Sequence, residues 1–147
     1  MPPGPAVIVD IDGTLSDTSH RLRYLTGRRK NWDAFFDAAE RDPPLAGTIA
    51  LVDALDRALA VLLITGRPAR TGELTIEWLT RHAVRWDLLA LRPDGDYRPA
   101  TAWKGEVVDA LARSGWELRL AIEDDAAAVK AYAKRGIPSV ELRSDRG

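Results

Sequence analysis

The stretch Ala6-Val7-Ile8-Val9-Asp10-Ile11-Asp12-Gly13-Thr14-Leu15 decides how the rest of this chain is read. Its first four residues are apolar and three of them are β-branched, which predicts a strand buried on both faces, as in a parallel sheet. The run ends in two carboxylates one residue apart, followed by a Gly-Thr that breaks the strand. Close carboxylates repel and raise each other's pKa, so the pattern is costly unless a positive charge sits beside it. A divalent cation meets that need, and ligands of open α/β sheets bind at the carboxyl ends of strands. The plainer reading is a turn that happens to carry acids, since Asp and Gly both favour turns.

Outward from this stretch, strands and helices alternate. Residues 1 to 5 form a proline-rich lead-in, expected to be disordered. Residues 16 to 29 are polar and basic, with Thr-Gly-Arg-Arg-Lys at 26–30 as the expected tip of a loop. Asn31-Trp32-Asp33 opens a helix that Asp42-Pro43-Pro44 stops, and Thr48 to Leu59 repeats apolar residues at helical spacing. Ala60 to Ile64 is a second apolar strand, ending in a Thr65-Gly66 turn. Thr71 to His82 is an amphipathic helix and Asp87 to Leu91 a third strand. Thr101 to Arg113 is helical, and Leu118 to Ile122 is a fourth strand running into Glu123-Asp124-Asp125. Ala126 to Arg135 forms a helix with Gly136 just past its end, and Pro138 to Leu142 is a last strand. The expected fold is therefore α/β: a three-layer, Rossmann-like parallel sheet of about five strands flanked by helices. Residues 16–45 form a small helical lid insert after the first strand, and 1–147 is read as a single domain.

Composition narrows the chemistry. Hydrophobic content of 46% and charged content of 29% are ordinary for a globular protein, and the absence of cysteine excludes thiolate metal sites and cysteine nucleophiles. No apolar run approaches a membrane span and the start does not resemble a signal peptide, so the expected compartment is the cytoplasm. A net charge of −1 provides no broad cationic field, so a nucleic-acid partner would be gripped locally, at an end.

Three strand ends thus carry polar chemistry: Asp10 and Asp12, then Thr65, then Glu123-Asp124-Asp125. Lys104 lies at the start of the helix before the fourth strand. Each is unremarkable alone, but their order along the chain resembles the haloacid dehalogenase superfamily of phosphotransferases. Its four motifs appear as Asp10-Ile11-Asp12-Gly13-Thr14, Thr65-Gly66-Arg67, Lys104 and Glu123-Asp124. The resemblance implies that Asp10 is a nucleophile forming an aspartyl-phosphate and that Asp12 is the general acid and base. It also implies that Thr65 and the Gly66 N–H hold phosphoryl oxygens, while Lys104 offsets charge. Magnesium would be held by Asp10, the Asp12 carbonyl and an acid of the fourth motif. In the superfamily pattern the second acid after the strand is the metal ligand, so the resemblance implies Asp124, with Glu123 acting through water or supporting Lys104.

Segments outside these motifs are similar to the 3′-phosphatase domain of polynucleotide kinase–phosphatases. They include His20-Arg21, Trp32-Asp33-Ala34-Phe35-Phe36, Thr75-Ile76-Glu77-Trp78-Leu79 and Arg92-Pro93-Asp94-Gly95-Asp96-Tyr97-Arg98. The similarity runs from about residue 6 to 142 and implies a phosphorylated DNA or RNA 3′ end, or a nucleotide, as substrate. Two departures stand out. The family often has Asp-Asp-Arg where this chain has Glu123-Asp124-Asp125, and no Gly-x-x-x-x-Gly-Lys-Ser/Thr loop of a kinase is present. Arg67, Arg92 and Arg98 are candidate contacts to a second phosphate, with surface salt bridges as the alternative. His20 reads as a solvated loop residue, His82 as a dipole contact at a helix end, and Trp32 as a lid residue able to stack a base. Two other functions stay open: the same chemistry on a small phosphate ester, and a receiver-like phospho-aspartate module. The motif order argues against the second, because a receiver places its acid pair first and its phosphorylated Asp mid-chain.

Overall fold

The computed structural model describes residues 2–143 and contains one five-stranded sheet of order β3-β2-β1-β4-β5, with every neighbouring pair parallel. The strands are β1 (Pro5–Val9), β2 (Ala60–Pro68), β3 (Leu88–Arg92), β4 (Glu117–Glu123) and β5 (Ser139–Glu141). The α-helices are α1 (Trp32–Asp37), α2 (Ala46–Ala54), α3 (Gly72–Arg81), α4 (Ala100–Arg113) and α5 (Ala126–Ala133).

Side chains alternate across a strand, so each apolar strand feeds both faces of the sheet. Val7, Val9, Val61 and Leu63 pack with Val52 of α2 and with Trp78 and Leu79 of α3. Their neighbours Ile8, Ile64 and Ala121 pack with Trp103 and Val108 of α4 and with Ala128 and Tyr132 of α5. A helix layer on each side is the reason these strands read as continuous apolar runs.

After β1 the chain leaves the sheet through a 3-10 helix (Ser19–Leu25), α1 and a second 3-10 helix (Ala38–Arg41). The Asn31 side chain caps α1 by accepting from Ala34 N at 3.0 Å. The excursion starts and returns at one point: Leu45 N donates to Leu15 O and Asp17 N to Pro43 O, both at 2.8 Å.

Four boundaries differ from the sequence expectation. The lead-in is not disordered throughout, because Pro5 opens β1 opposite Glu117 and Gly4 O accepts from Glu117 N at 2.9 Å. A proline is tolerated as the first residue of a strand, where it forfeits no ladder hydrogen bond. Met1 lies outside the described residues. Thr65-Gly66 is not a turn: β2 continues to Pro68 after a register shift against β3. The helix expected to reach Leu59 stops at Ala54, and Arg85 satisfies carbonyls at its end and in the segment after it, donating to Val52, Leu55, Asp56 and Leu59 at 2.6 to 3.2 Å. α5 ends at Ala133 rather than Arg135, and Gly136 takes the left-handed conformation past it (φ +75°).

Candidate active site

Register brings the chemistry together. Val9 lies opposite Leu63 on one side and Ile122 on the other, so Asp10, Thr65 and Glu123 all follow closely on one level of the sheet. β1 sits between the two at the point where strand order reverses, which is where open α/β sheets leave a crevice for a ligand. Asp10 follows β1 directly and its N–H donates to Ile122 O at 3.1 Å. A cavity of about 300 Å³ opens there, with Asp10, Asp12, Thr65, Gly66, Lys104 and Asp124 in its lining.

The loop after β1 is a tight turn in which Leu15 N and Ser16 N both donate to Ile11 O, at 2.8 and 3.1 Å. Gly13 is required within it. Its φ is +80°, and a Cβ there would lie 2.1 Å from Asp124 Oδ2. With no side chain at Gly13, the loops after β1 and β4 come close enough for Thr14 Oγ1 to donate to Asp124 Oδ1 at 3.3 Å.

Around this contact stands an acidic cluster. One oxygen from each of Asp10, Glu123 and Asp124 lies within 4.8 Å of the others. Lys104, buried on α4, reaches Asp10 Oδ1 at 3.2 Å and Glu123 Oε2 at 3.1 Å. Burial pushes the Lys104 ammonium down, yet the charges of Asp10 and Glu123 outweigh burial and hold it protonated. Burial together with the Asp10 charge pushes the Glu123 carboxyl up and the Asp124 carboxyl up to about 6. Three carboxylates against one ammonium leave an excess of two negative charges when all are ionised. The set offers oxygen donors alone, which fits a hard divalent cation such as magnesium. Glu123 is the most committed of the three: Oε2 takes Lys104, and Oε1 accepts from the backbone N–H groups of Asp124 and Asp125 at 3.2 Å.

Asp12 is turned away from this cluster. Its Oδ1 accepts from Arg21 Nη2 at 2.8 Å and from Arg67 Nε and Nη2 at 2.9 and 2.8 Å, while Oδ2 takes no hydrogen bond among the described residues. Burial alone would raise the Asp12 pKa, but Arg67 and Arg21 outweigh it and hold the carboxyl below its usual range. Both arginines are completely buried, and both also reach Asp42. Arg21 binds Asp42 with Nε at 2.8 Å and Nη2 at 2.6 Å, donates to Phe35 O at 3.2 Å, and sits over the Phe35 ring at 4.3 Å. Arg67 donates to Thr75 Oγ1 at 3.0 Å and approaches Asp42 Oδ2 at 3.5 Å.

Arg67 therefore does not face a substrate phosphate; its guanidinium is used inside the protein. Arg98 is closed off in a similar way, held by Asp96 (Nη2 to Oδ2, 2.7 Å) and by Glu106. Arg92 lines the cavity but gives Nη2 to Asp96 Oδ1 at 3.3 Å and to the Arg98 carbonyl, while its buried Nε finds no acceptor. His20 is not simply solvated, since Nε2 contacts Asp42 Oδ1 at 2.7 Å. His82 ends α3 with its ring 4.5 Å from that of Trp78. The sequence reading missed Arg21 and Asp42 as functional groups. Asp42 was visible only as a helix stop, and nothing in the polar, basic stretch around Arg21 marked that arginine as the one to be buried against it.

A nucleophile-type carboxylate, a second acid two residues on, and a lysine tied to a distal acid pair, all set on a 3-2-1-4-5 parallel sheet, define a haloacid dehalogenase-type phosphatase. The profile of the polynucleotide kinase PNKP phosphatase domain matches residues 4–145, and the chain belongs to that family. Two solved structures of Pnkp1/Rnl/Hen1 complexes, one described as an RNA repair complex, contain similar chains. One is 23% identical with a TM-score of 0.81 over 97% of this chain and 43% of its own; the other is 24% identical with a TM-score of 0.77 over 95% and 46%. This chain thus spans less than half the length of either. A haloacid dehalogenase family enzyme from Bacteroides thetaiotaomicron, solved with magnesium and inorganic phosphate, is 11% identical with a TM-score of 0.59 over 100% of this chain and 97% of its own. No curated protein matches the sequence. No helix among the described residues is long and apolar enough to cross a membrane.

Proposed function

We propose that this phosphatase removes 3′-phosphates from polynucleotide ends or nucleotides through an aspartyl-phosphate on Asp10, with magnesium in the acidic cluster. The observation that carries the reading is the division of labour between two neighbouring acids. Asp10 stands in the electron-rich cluster beside Lys104, and Asp12 is held apart from it by two buried arginines.

Asp10 attacks phosphorus and the ester P–O bond breaks as Asp12 gives its proton to the departing oxygen. Asp12, now a carboxylate, then takes a proton from the water that attacks the aspartyl-phosphate, and phosphate leaves. Splitting the displacement in two lets one side chain serve as acid and then as base. Thr65 and the Gly66 N–H hold phosphoryl oxygens, and Lys104 offsets the charge that builds on Asp10 and the phosphoryl group. Asp10, Asp124 and the Asp12 carbonyl would hold magnesium, which would supply charge neutralisation for the phosphoryl oxygens. Glu123 acts as support, with both oxygens already engaged by Lys104 and two backbone amides.

A nucleic-acid end as substrate is supported by the insert. Arg28, Arg29 and Lys30 are exposed at its tip, and Lys30 Nζ lies 5.9 Å from the ring of Trp32, which also lines the catalytic cavity. The solved relatives named for RNA repair point the same way. The test is phosphate release, with and without magnesium, from a 3′-phosphorylated oligonucleotide, nucleoside monophosphates and sugar phosphates. Magnesium-dependent preference for the nucleotides is expected, and equal rates on sugar phosphates would move the reading to small esters.

A further inference from the structure

A second cavity, of about 520 Å³, adjoins the catalytic one. The two share Trp32, Phe36, Gly66, Arg92 and Ala100, so they adjoin along a common wall. A phosphate placed at Asp10 would have its ester oxygen in the first cavity, and the second is the adjoining space open to the group carried by that oxygen. The volume lies within the range of small-ligand sites and suits one nucleoside-sized group.

Its walls differ from those of the first cavity in two respects. The insert contributes an aromatic wall, in which Trp32 and Phe36 stack with centroids 6.0 Å apart at 25°, while Trp32 keeps 49% of its surface exposed. The three arginines of the remaining wall are each already engaged by a carboxylate. Arg70 binds Asp33 at 3.2 Å and also Asp37, Arg92 binds Asp96, and Arg98 binds Asp96 and Glu106. A second phosphate entering here would meet a carboxylate already on each of these arginines, with only the buried Nε of Arg92 left over, whereas an uncharged ring disturbs none of these pairs. Gly66 at the junction has no atom within 4 Å of where a Cβ would stand, so the passage between the cavities is open on that side.

We infer, resting on the phosphatase reading above, that the second cavity holds the nucleobase of the phosphorylated terminal nucleotide, stacked on Trp32. Stacking accepts any base, because every base has a π face, so the site distinguishes nucleotides from non-aromatic phosphate esters without reading sequence. This places the determinant of substrate class on the insert, apart from the catalytic acids.

The test compares two 3′-phosphorylated oligonucleotides of equal length, one with an intact terminal nucleotide and one whose terminal sugar carries no base. The readout is the ratio of their kcat/KM values. In the unaltered protein the intact end is expected to be favoured by between ~5-fold and ~150-fold, the span of base–aromatic stacking. Trp32→Ala should bring the ratio close to one, mainly through KM, and Trp32→Phe should keep much of it. A ratio that is the same in Trp32→Ala as in the unaltered protein, or that starts near one, overturns the assignment. Phosphate release from the abasic end reports the phosphatase reading on its own, so failure to hydrolyse either end is recognisable as failure of that reading instead.

Discussion

Two groups of buried charge lie within one turn of chain from each other, and they are built on opposite principles. Around Asp10 the protein gathers three carboxylates and one lysine and leaves the sum negative. Around Asp12 it sets two carboxylates, Asp12 and Asp42, against two arginines, Arg21 and Arg67, and leaves the sum at zero. The first arrangement is incomplete without an external cation, and such a centre binds. The second is complete in itself, and such a centre holds a side chain still. Asp12 belongs to the second group in its charge, yet it also lines the catalytic cavity beside the first.

The sharpest way to break this contrast is to empty each centre in turn. Asp10→Asn removes the nucleophile and should lower magnesium-dependent hydrolysis of an aryl phosphate by ~10⁴-fold or more, with substrate still bound. Retained turnover would refute covalent catalysis through that side chain. Next in size is the balanced centre. Arg21→Met leaves Asp42 and Asp12 short of a partner inside the protein, and urea unfolding should show a loss of about 3–5 kcal/mol. A loss below about 1 kcal/mol would mean that the network relaxes freely and holds nothing.

The unbalanced centre predicts the reverse response to metal. Magnesium at about one hundred times its Kd should stabilise the protein by ~2.7 kcal/mol, read as a rise in Tm, and Asp124→Asn should remove most of that rise. Chelation should abolish hydrolysis without unfolding the protein, because Lys104 still bridges Asp10 and Glu123.

The smallest effect concerns pH. In free enzyme Asp12 must be protonated to act as an acid, and the arginines hold its pKa below the ordinary carboxyl value. kcat/KM for an alkyl phosphate should therefore fall as pH rises through that depressed pKa. Arg67→Gln takes away one of the cations, raises the Asp12 pKa, and should move this limb to higher pH, by about one unit for each ~1.4 kcal/mol of lost interaction. An unmoved limb would show that another group limits the acid step.

Most of the architecture was legible in the chain. Ala6–Val9 and Ala60–Ile64 are continuous apolar runs because helices cover both faces of the sheet, the pattern of parallel α/β sheets. The positions of Asp10, Thr65, Lys104 and Glu123-Asp124 were legible too, because a parallel sheet delivers successive strand ends to one edge. The roles of the arginines were not. Arg67, Arg92 and Arg98 are chemically able to bind phosphate, and Arg21 has no local feature that distinguishes it from its basic neighbours. Which of them stays free depends on the acids that reach them from 25, 4, 8 and 21 residues away in sequence.

The amino-acid order by itself determined the sheet, the line of chemical groups along its carboxyl edge, and a need for positive charge beside Asp10. These follow from periodicity and from the mutual repulsion of close carboxylates, which are local properties. Only the tertiary structure decided that Arg21 and Arg67 would both bind Asp12, that Glu123 would be engaged by Lys104 and two backbone amides, and that a cavity with an aromatic wall would adjoin the site. Those outcomes depend on desolvation and on partners brought together from distant segments, and pairing at a distance is settled by packing rather than by neighbours in the chain.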